Sequence, residues 1–170
     1  MFKEIKLERL SINPFTMIND DWFLITAGSK NAYNTMTASW GAMGVCFNKN
    51  MITAYVRKSR YTYEFLEKEE YFTICFFDEL YRHSLNVCGT LSGRSSNKVE
   101  VAGLTAVFDE KAPYFHEAKL VFVCKKVLTT DFTRDDFVNP RYDDDFYPKG
   151  DRHTMFMGQI VKVLINEEEN

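Results

Sequence analysis

Four consecutive residues, Arg57-Lys58-Ser59-Arg60, place three cations and a hydroxyl between the strand-like run Met51 to Val56 and the helix-like run Thr62 to Glu70. A strand-to-helix turn aims several unpaired backbone N–H groups at one spot, and the helix dipole adds partial positive charge there. Arg57 and Arg60 offer planar guanidinium forks that match phosphate oxygens, and Ser59 and Thr62 add neutral donors. The chemistry this spacing suggests is capture of a terminal phosphate or a similar anion. The same residues also read as a solvated basic turn in which Ser59 or Thr62 caps the helix.

Two further stretches carry small polar side chains in order. Thr35, Thr37 and Ser39 fall on one face of a strand of period two and are followed by Trp40 and the turn-like Gly41-Ala-Met-Gly44. Small hydroxyls leave room and donors for a flat polar ligand, although a hairpin with its hydroxyls in water fits the pattern too. Cys88-Gly-Thr-Leu-Ser-Gly-Arg-Ser-Ser-Asn-Lys98 is a Gly/Ser/Thr loop that ends on a cation, and alone it resembles many helix C-caps. Of the three histidines, His83 and His116 read as packing or surface residues. His153 stands where a long acidic stretch returns to the last strand, which makes it the candidate for acid–base or binding work. The histidines are too far apart for a metal site, and Asp143-Asp-Asp145 lacks the alternating ligand pattern of a calcium loop.

These candidates need a scaffold, and composition bounds it. A chain of 170 residues, 45% hydrophobic and 26% charged, describes one globular domain spanning 1–170. The net charge of −3 argues against a nucleic-acid partner, so any basic site is local. Four scattered cysteines form no Cys-x-x-Cys pair, and no run reaches the ~20 apolar residues of a membrane span. The expectation is a soluble, cytoplasmic protein with free thiols.

Short strand-like runs bounded by Gly, Asn or Asp predict a mainly β fold with a few helices. Trp22 to Ala27 and Asn34 to Trp40 read as a hairpin. Tyr71 to Phe77 is apolar on both faces, as a central barrel strand would be. Leu104 to Phe108, Leu120 to Leu128 and Phe156 to Ile165 read as further strands. Helical periodicity is confined to Thr62 to Glu70 and Glu79 to Val87, and Thr129 to Arg152 reads as a long acidic excursion that docks a basic partner, packs on the protein or is simply solvated.

As a set, Asn34 to Trp40, Tyr55 to Phe65, Cys88 to Arg94 with Lys98, and Ala102 to Thr105 resemble the flavin reductase-like family of FMN-binding split barrels, over about Trp22 to Leu164. The resemblance implies a six-stranded split β-barrel, paired as a homodimer, with FMN near the subunit interface. It implies that Thr37, Ser39 and Trp40 line the flavin ring, that Tyr55 and Val56 flank it by strand backbone, and that Arg57, Ser59, Arg60 and Thr62 hold the phosphate. Ser92, Gly93 and Lys98 would complete the ribityl and phosphate end. The implied activity is an oxidoreductase that moves electrons from NADH or NADPH through FMN to free flavin or another small acceptor. A flavoredoxin-like carrier serving a redox protein, and a non-catalytic FMN-binding module, are the other readings; no Rossmann glycine fingerprint is present, and none is needed if nicotinamide stacks on the flavin.

Overall fold

A computed structural model of the chain describes residues 1–167. In chain order the elements are β1 (Phe2–Ile5), α1 (Pro14–Thr16), β2 (Phe23–Gly28), β3 (Tyr33–Ala38), β4 (Gly41–Cys46), β5 (Lys49–Arg57), α2 (Tyr61–Lys68), β6 (Tyr71–Phe76), α3 (Arg82–Thr90), α4 (Lys98–Val101), β7 (Ala106–Val107), β8 (Tyr114–Phe115), β9 (Leu120–Asp131), α5 (Pro140–Phe146) and β10 (His153–Asn166). One antiparallel sheet runs in the order β3-β2-β6-β9-β10-β5-β4, with β1 beside β10. Its two edge strands, β3 and β4, follow each other in the sequence and are joined only by Ser39 and Trp40. The sheet therefore curls until its edges meet at that dipeptide. The result is the split barrel that the resemblance implies, with seven strands along the ladder and β1 as an addition.

Period-two patterning explains the two-sided burial of the central strands. Phe23, Ile25, Ile74, Phe76 and Phe122 point into the barrel, while Leu24, Cys75, Val121 and Val123 point outward into a second core completed by Leu85 and Cys88 of α3, Phe115 of β8 and Leu104. A helix over the outer face thus makes both faces of β6 apolar, as its sequence predicts. In α2, Thr62 and Leu66 lie four apart on the buried face. Among the described residues no helix is long and apolar enough to cross a membrane.

Three expectations change. Gly41 to Gly44 is strand β4, not a turn; the reversal falls at Phe47 and Asn48, both with positive φ. The acidic excursion is shorter and more ordered than its sequence suggests, because β9 continues to Asp131 and Pro140 opens α5 behind an Asn139 cap. Residues 132–152 form a strap across one end of the barrel. The predicted strand at Leu104 to Phe108 contracts to the two residues of β7.

Gly158, at a register shift in β10, has no room for a side chain. A Cβ there would sit 2.6 Å from Phe72 Cζ and 2.9 Å from Cys124 Cβ, both in the barrel core. Gly158→Ala should cost about 1–3 kcal/mol, as overpacked cores do. A urea melt in which the variant matches the parent would show that Phe72 has freedom that its burial denies.

Candidate functional site

The seam between β3 and β4 opens into a cleft of about 430 Å³. Thr37, Ser39 and Trp40 form one wall, Tyr55 and Arg57 of β5 a second, and Leu85, Asn86, Gly89 and Thr90 of α3 a third, with Trp22, Arg60 and His153 at its margins. Gly89 sets the spacing of helix and strand: a Cβ there would lie 3.4 Å from Thr37 Cβ. Thr37 Oγ1 donates to the Leu85 carbonyl, which ties β3 to α3. Trp22 adopts φ 65°, a left-handed conformation unfavourable for a large side chain, and the Arg82 guanidinium lies 4.4 Å over its ring. Thr35, which shares a strand face with Thr37, is instead sealed in the barrel wall by its hydrogen bond to Thr26 (2.8 Å).

At one end the cleft adjoins a polar pocket of about 170 Å³, with Arg60 and Thr90 common to both. Ser59, Ser92, Gly93 and Lys98 line the rest together with Tyr61 and Leu91. Arg60 is the N-cap residue of α2, whose first turn has no side-chain cap. Its guanidinium is half-buried and donates to the Gly89 carbonyl at 3.0 Å. Lys98 is 4% exposed, and its Nζ donates to the carbonyls of Cys88 (3.1 Å) and Leu91 (3.3 Å). Burial pulls the Lys98 pKa down to about 8; the Arg60 charge adds to this, and Cys88 opposes it. Neither cation has a carboxylate partner among the described residues. Two shielded cations sharing a pocket without a counter-charge among the described residues are poised for an anion, because buried charge is costly unless paired. Gly93 keeps the pocket open: a Cβ there would fall 2.1 Å from Asn34 Oδ1.

The structure divides the basic corner. Arg60 alone of its three cations faces Lys98. Arg57 reaches the strap, donating to the carbonyls of Asp151 (2.6 Å) and Phe146 (3.1 Å) and lying 5.0 Å over the Tyr147 ring. Lys58 pairs with Asp131 at 2.5 Å, and the Ser59 hydroxyl donates to Asp151 Oδ2 at 2.6 Å. The Thr62 hydroxyl is sealed from solvent and accepts from Asn34 Nδ2 at 2.7 Å, so it offers nothing to a pocket ligand. The Val56 side chain lies in the barrel core. The clamp expected from Arg57, Ser59, Arg60 and Thr62 therefore reduces to Arg60, supplemented by Lys98 from α4 and the Ser92–Gly93 turn. An acid 92 residues along the chain claims the Ser59 hydroxyl, and nothing local to the corner signals it.

His153 lies in the cleft at the base of β10. Its Nδ1 is 2.7 Å from Tyr147 Oη, and its ring is 5.1 Å from Trp40. Burial lowers its pKa to about 4, helped by the Arg57 charge and opposed by Asp151. At neutral pH it is an uncharged hydrogen-bonding ring. His83 and His116 are exposed and away from the cleft. The strap that presents Tyr147 is held by Asp143, whose carboxylate takes Arg152 Nε and a terminal nitrogen at 2.6 and 2.7 Å; that pairing keeps the Asp143 carboxyl below its ordinary range. Three other strap acids are engaged: Asp136 by the Thr133 backbone, Asp144 by Arg134 and Asp151 by the Ser59 hydroxyl. Asp135 and Asp145 are those without a partner among the described residues.

Sequence reasoning missed Trp22, Asn86, Gly89, Thr90 and Tyr147 as site residues. Gly89-Thr90 lies within a stretch read as a loop and is instead the last turn of α3, where glycine permits close approach. Tyr147 carries no local signal.

Residues 18–170 match the family model described as "Flavin reductase like domain". No curated protein matches the chain by sequence. Among solved structures, the chain is similar to an FMN-binding domain of a flavin reductases-like enzyme from Shewanella baltica, with 16% identity, 97% of this chain and 77% of that one covered, and a TM-score of 0.69. It is similar to flavoredoxin from Methanosarcina acetivorans at 23% identity, covering 94% and 76%, with a TM-score of 0.69. It is also similar to nitrilotriacetate monooxygenase component B from Mycobacterium thermoresistibile at 13% identity, covering 88% and 71%, with a TM-score of 0.66. At such identities these likenesses show a shared fold.

The shielded His153 has a consequence for stability. Between its ordinary pKa of 6.5 and its folded value of about 4, the unfolded chain takes up a proton that the folded chain refuses, so this residue makes the fold less stable as pH falls through that window. His153→Gln should flatten that part of the curve of urea midpoint against pH. An unchanged slope would mean that the ring titrates normally.

Proposed function

The chain belongs to the flavin reductase-like family, and from that premise and the cleft's geometry we propose that it binds FMN and acts as an oxidoreductase, passing electrons from NADH or NADPH to flavin or another small acceptor. The observation that carries this reading is the pair Arg60 and Lys98, two shielded cations without a carboxylate, at the end of a cleft walled by Trp40, Tyr55 and Thr37. A phosphate monoester matches the pocket in charge, and a planar ring matches the cleft in shape. The residues present fit the cofactor.

In this reading Arg60 and Lys98 hold the phosphate, with Ser92 and the backbone at Gly93 beside it. Thr90 stands where the two cavities meet, along the path of the ribityl chain. Trp40, Tyr55 and Thr37 orient the ring. Bound FMN supplies the hydride chemistry at its N5 atom, so the protein needs no nucleophile. His153, neutral and held by Tyr147, offers a hydrogen bond to a polar edge without adding charge. The strap screens this end of the cleft from water, and Arg57 ties it down.

The reading extends to a cytoplasmic homodimer. Val45 and Phe47 are exposed apolar residues beside the unpaired edge of β4, where a second copy would cover them. A carrier serving a basic redox protein would use the strap's acids, but most of them are engaged within the chain, which favours a small acceptor.

Arg60→Met and Lys98→Met should each weaken FMN binding roughly ten- to hundredfold in a flavin-fluorescence titration, the effect of losing one charge-assisted hydrogen bond. Arg57→Ala should weaken it far less, since that guanidinium serves the strap. Retention of full FMN affinity by the Arg60 and Lys98 variants would place the phosphate elsewhere. Because unliganded Lys98 loses its proton near pH 8, FMN affinity should fall between pH 7 and 9.5 in the parent and lose that slope in Lys98→Met. Anaerobic titration of the FMN-loaded protein with NADH and NADPH tests the donor: bleaching by either supports the enzyme reading, and bleaching by neither removes the nicotinamide from it.

A further inference from the structure

Behind Trp40, away from the polar pocket, lies a second and larger chamber of about 810 Å³, a size typical of small-molecule sites. It shares Ser39, Trp40 and Tyr55 with the cleft, so these residues form a common wall between the two spaces. The remaining walls come from the strap, from the α1 region and from Ala42 and Met43 of β4. None of the described residues lining it carries a charge, although 26% of the chain is charged.

The chamber's aromatic rings constrain what it can hold. Phe146 meets Trp40 edge-on at 5.4 Å and stacks with Tyr142 at 6.3 Å, while Phe132 lies 5.5 Å from Tyr55. Such walls present ring faces and edges, the surfaces that another planar aromatic packs against best. An ion in the chamber would find no counter-charge among the described lining residues, which disfavours charged ligands. Asn19 and Tyr147 on the other walls are engaged by Asp20 and His153, whereas the hydroxyls of Ser39 and Tyr55 at the shared wall, like that of Tyr142, have no hydrogen-bond partner among the described residues. A ligand with one acceptor atom would turn it there.

We propose that this chamber is a binding site for an uncharged, planar aromatic molecule bearing a hydrogen-bond acceptor such as a ketone oxygen. Its polar end points at Ser39 and Tyr55 and its ring packs against Trp40 and Phe146. Binding follows from the chamber alone. The ligand's role as the acceptor in the proposed reaction rests on the FMN reading, because the shared wall sets the ligand beside the cleft that would hold the flavin.

The test is calorimetric titration of the full chain with 2-acetylnaphthalene and with 2-naphthoate, which share a ring and differ in charge. The neutral probe should bind once per chain, and the carboxylate at least about tenfold more weakly, since its charge is unpaired in the chamber. Ala42→Trp, which fills the space, and Phe146→Asp, which charges the wall, should each lower affinity for the neutral probe by about tenfold or more. Ala42→Trp should leave FMN titration by fluorescence unchanged. Equal affinity for the two probes, or probe binding that survives both variants, overturns the proposal. So does a parent chain that binds neither probe, and sedimentation showing a dimer that Phe146→Asp dissociates would then assign the face to a second copy. If the neutral probe binds as expected while FMN does not, the chamber stands and the flavin reading falls.

Discussion

At the seam between β3 and β4 the hydrogen-bond ladder stops, because only Ser39 and Trp40 carry the chain from one edge of the sheet to the other. A curled sheet could close there by backbone pairing. Beyond that link β3 and β4 do not pair, and backbone and side chains at that point must find other company. The polar cleft and the apolar chamber lie on either side of this dipeptide. Gly89 lets α3 approach one side, and the strap covers the other. The arrangement of the site is thus a consequence of where the barrel fails to close.

The distribution of charge follows from that geometry. The strap crosses next to the basic turn after β5 and brings a carboxylate to Ser59 and carbonyls to Arg57, while Asp131 at the end of β9 takes Lys58. Arg60 points the other way, toward α3, where the hydrogen-bond acceptors that meet it and Lys98 among the described residues are carbonyl oxygens. Carbonyl dipoles stabilise a cation only partly, and the lowered Lys98 pKa expresses the deficit. An anion would relieve it. The acidic strap therefore does more than cover the cleft: by engaging Arg57 and Ser59 it leaves Arg60 and Lys98 as the cations that face the polar pocket.

The two cavities also divide their chemistry by lining. The polar pocket has cations and small residues, which suit a compact charged group. The chamber has aromatic rings and no charge, which suit a neutral flat one. His153 sits near the junction, and its neutrality prevents it from extending the positive field of Arg60 and Lys98 into the apolar space.

Much of the fold was legible in the sequence because its cues are local and periodic. The β2–β3 hairpin, the doubly apolar β6, the strands β5, β9 and β10, and the helices after Arg60 and Glu79 follow from side-chain alternation, turn residues and helical spacing. Strand β4 was not, since its glycines mimic a turn and only pairing with β5 makes it extended. The site was legible as a set of stretches: Thr37 to Trp40, Tyr55 to Arg60 and Ser92 to Lys98 do converge. Sequence alone determined which residue types were available and roughly where along the chain an anion and a flat ring could be met. Tertiary structure decided which of them face a ligand. Side-chain direction at Arg57, Ser59 and Thr62 depends on Phe146, Asp151 and Asn34, groups distant in sequence whose approach is set by the strap and the barrel wall, and no local pattern encodes such a meeting.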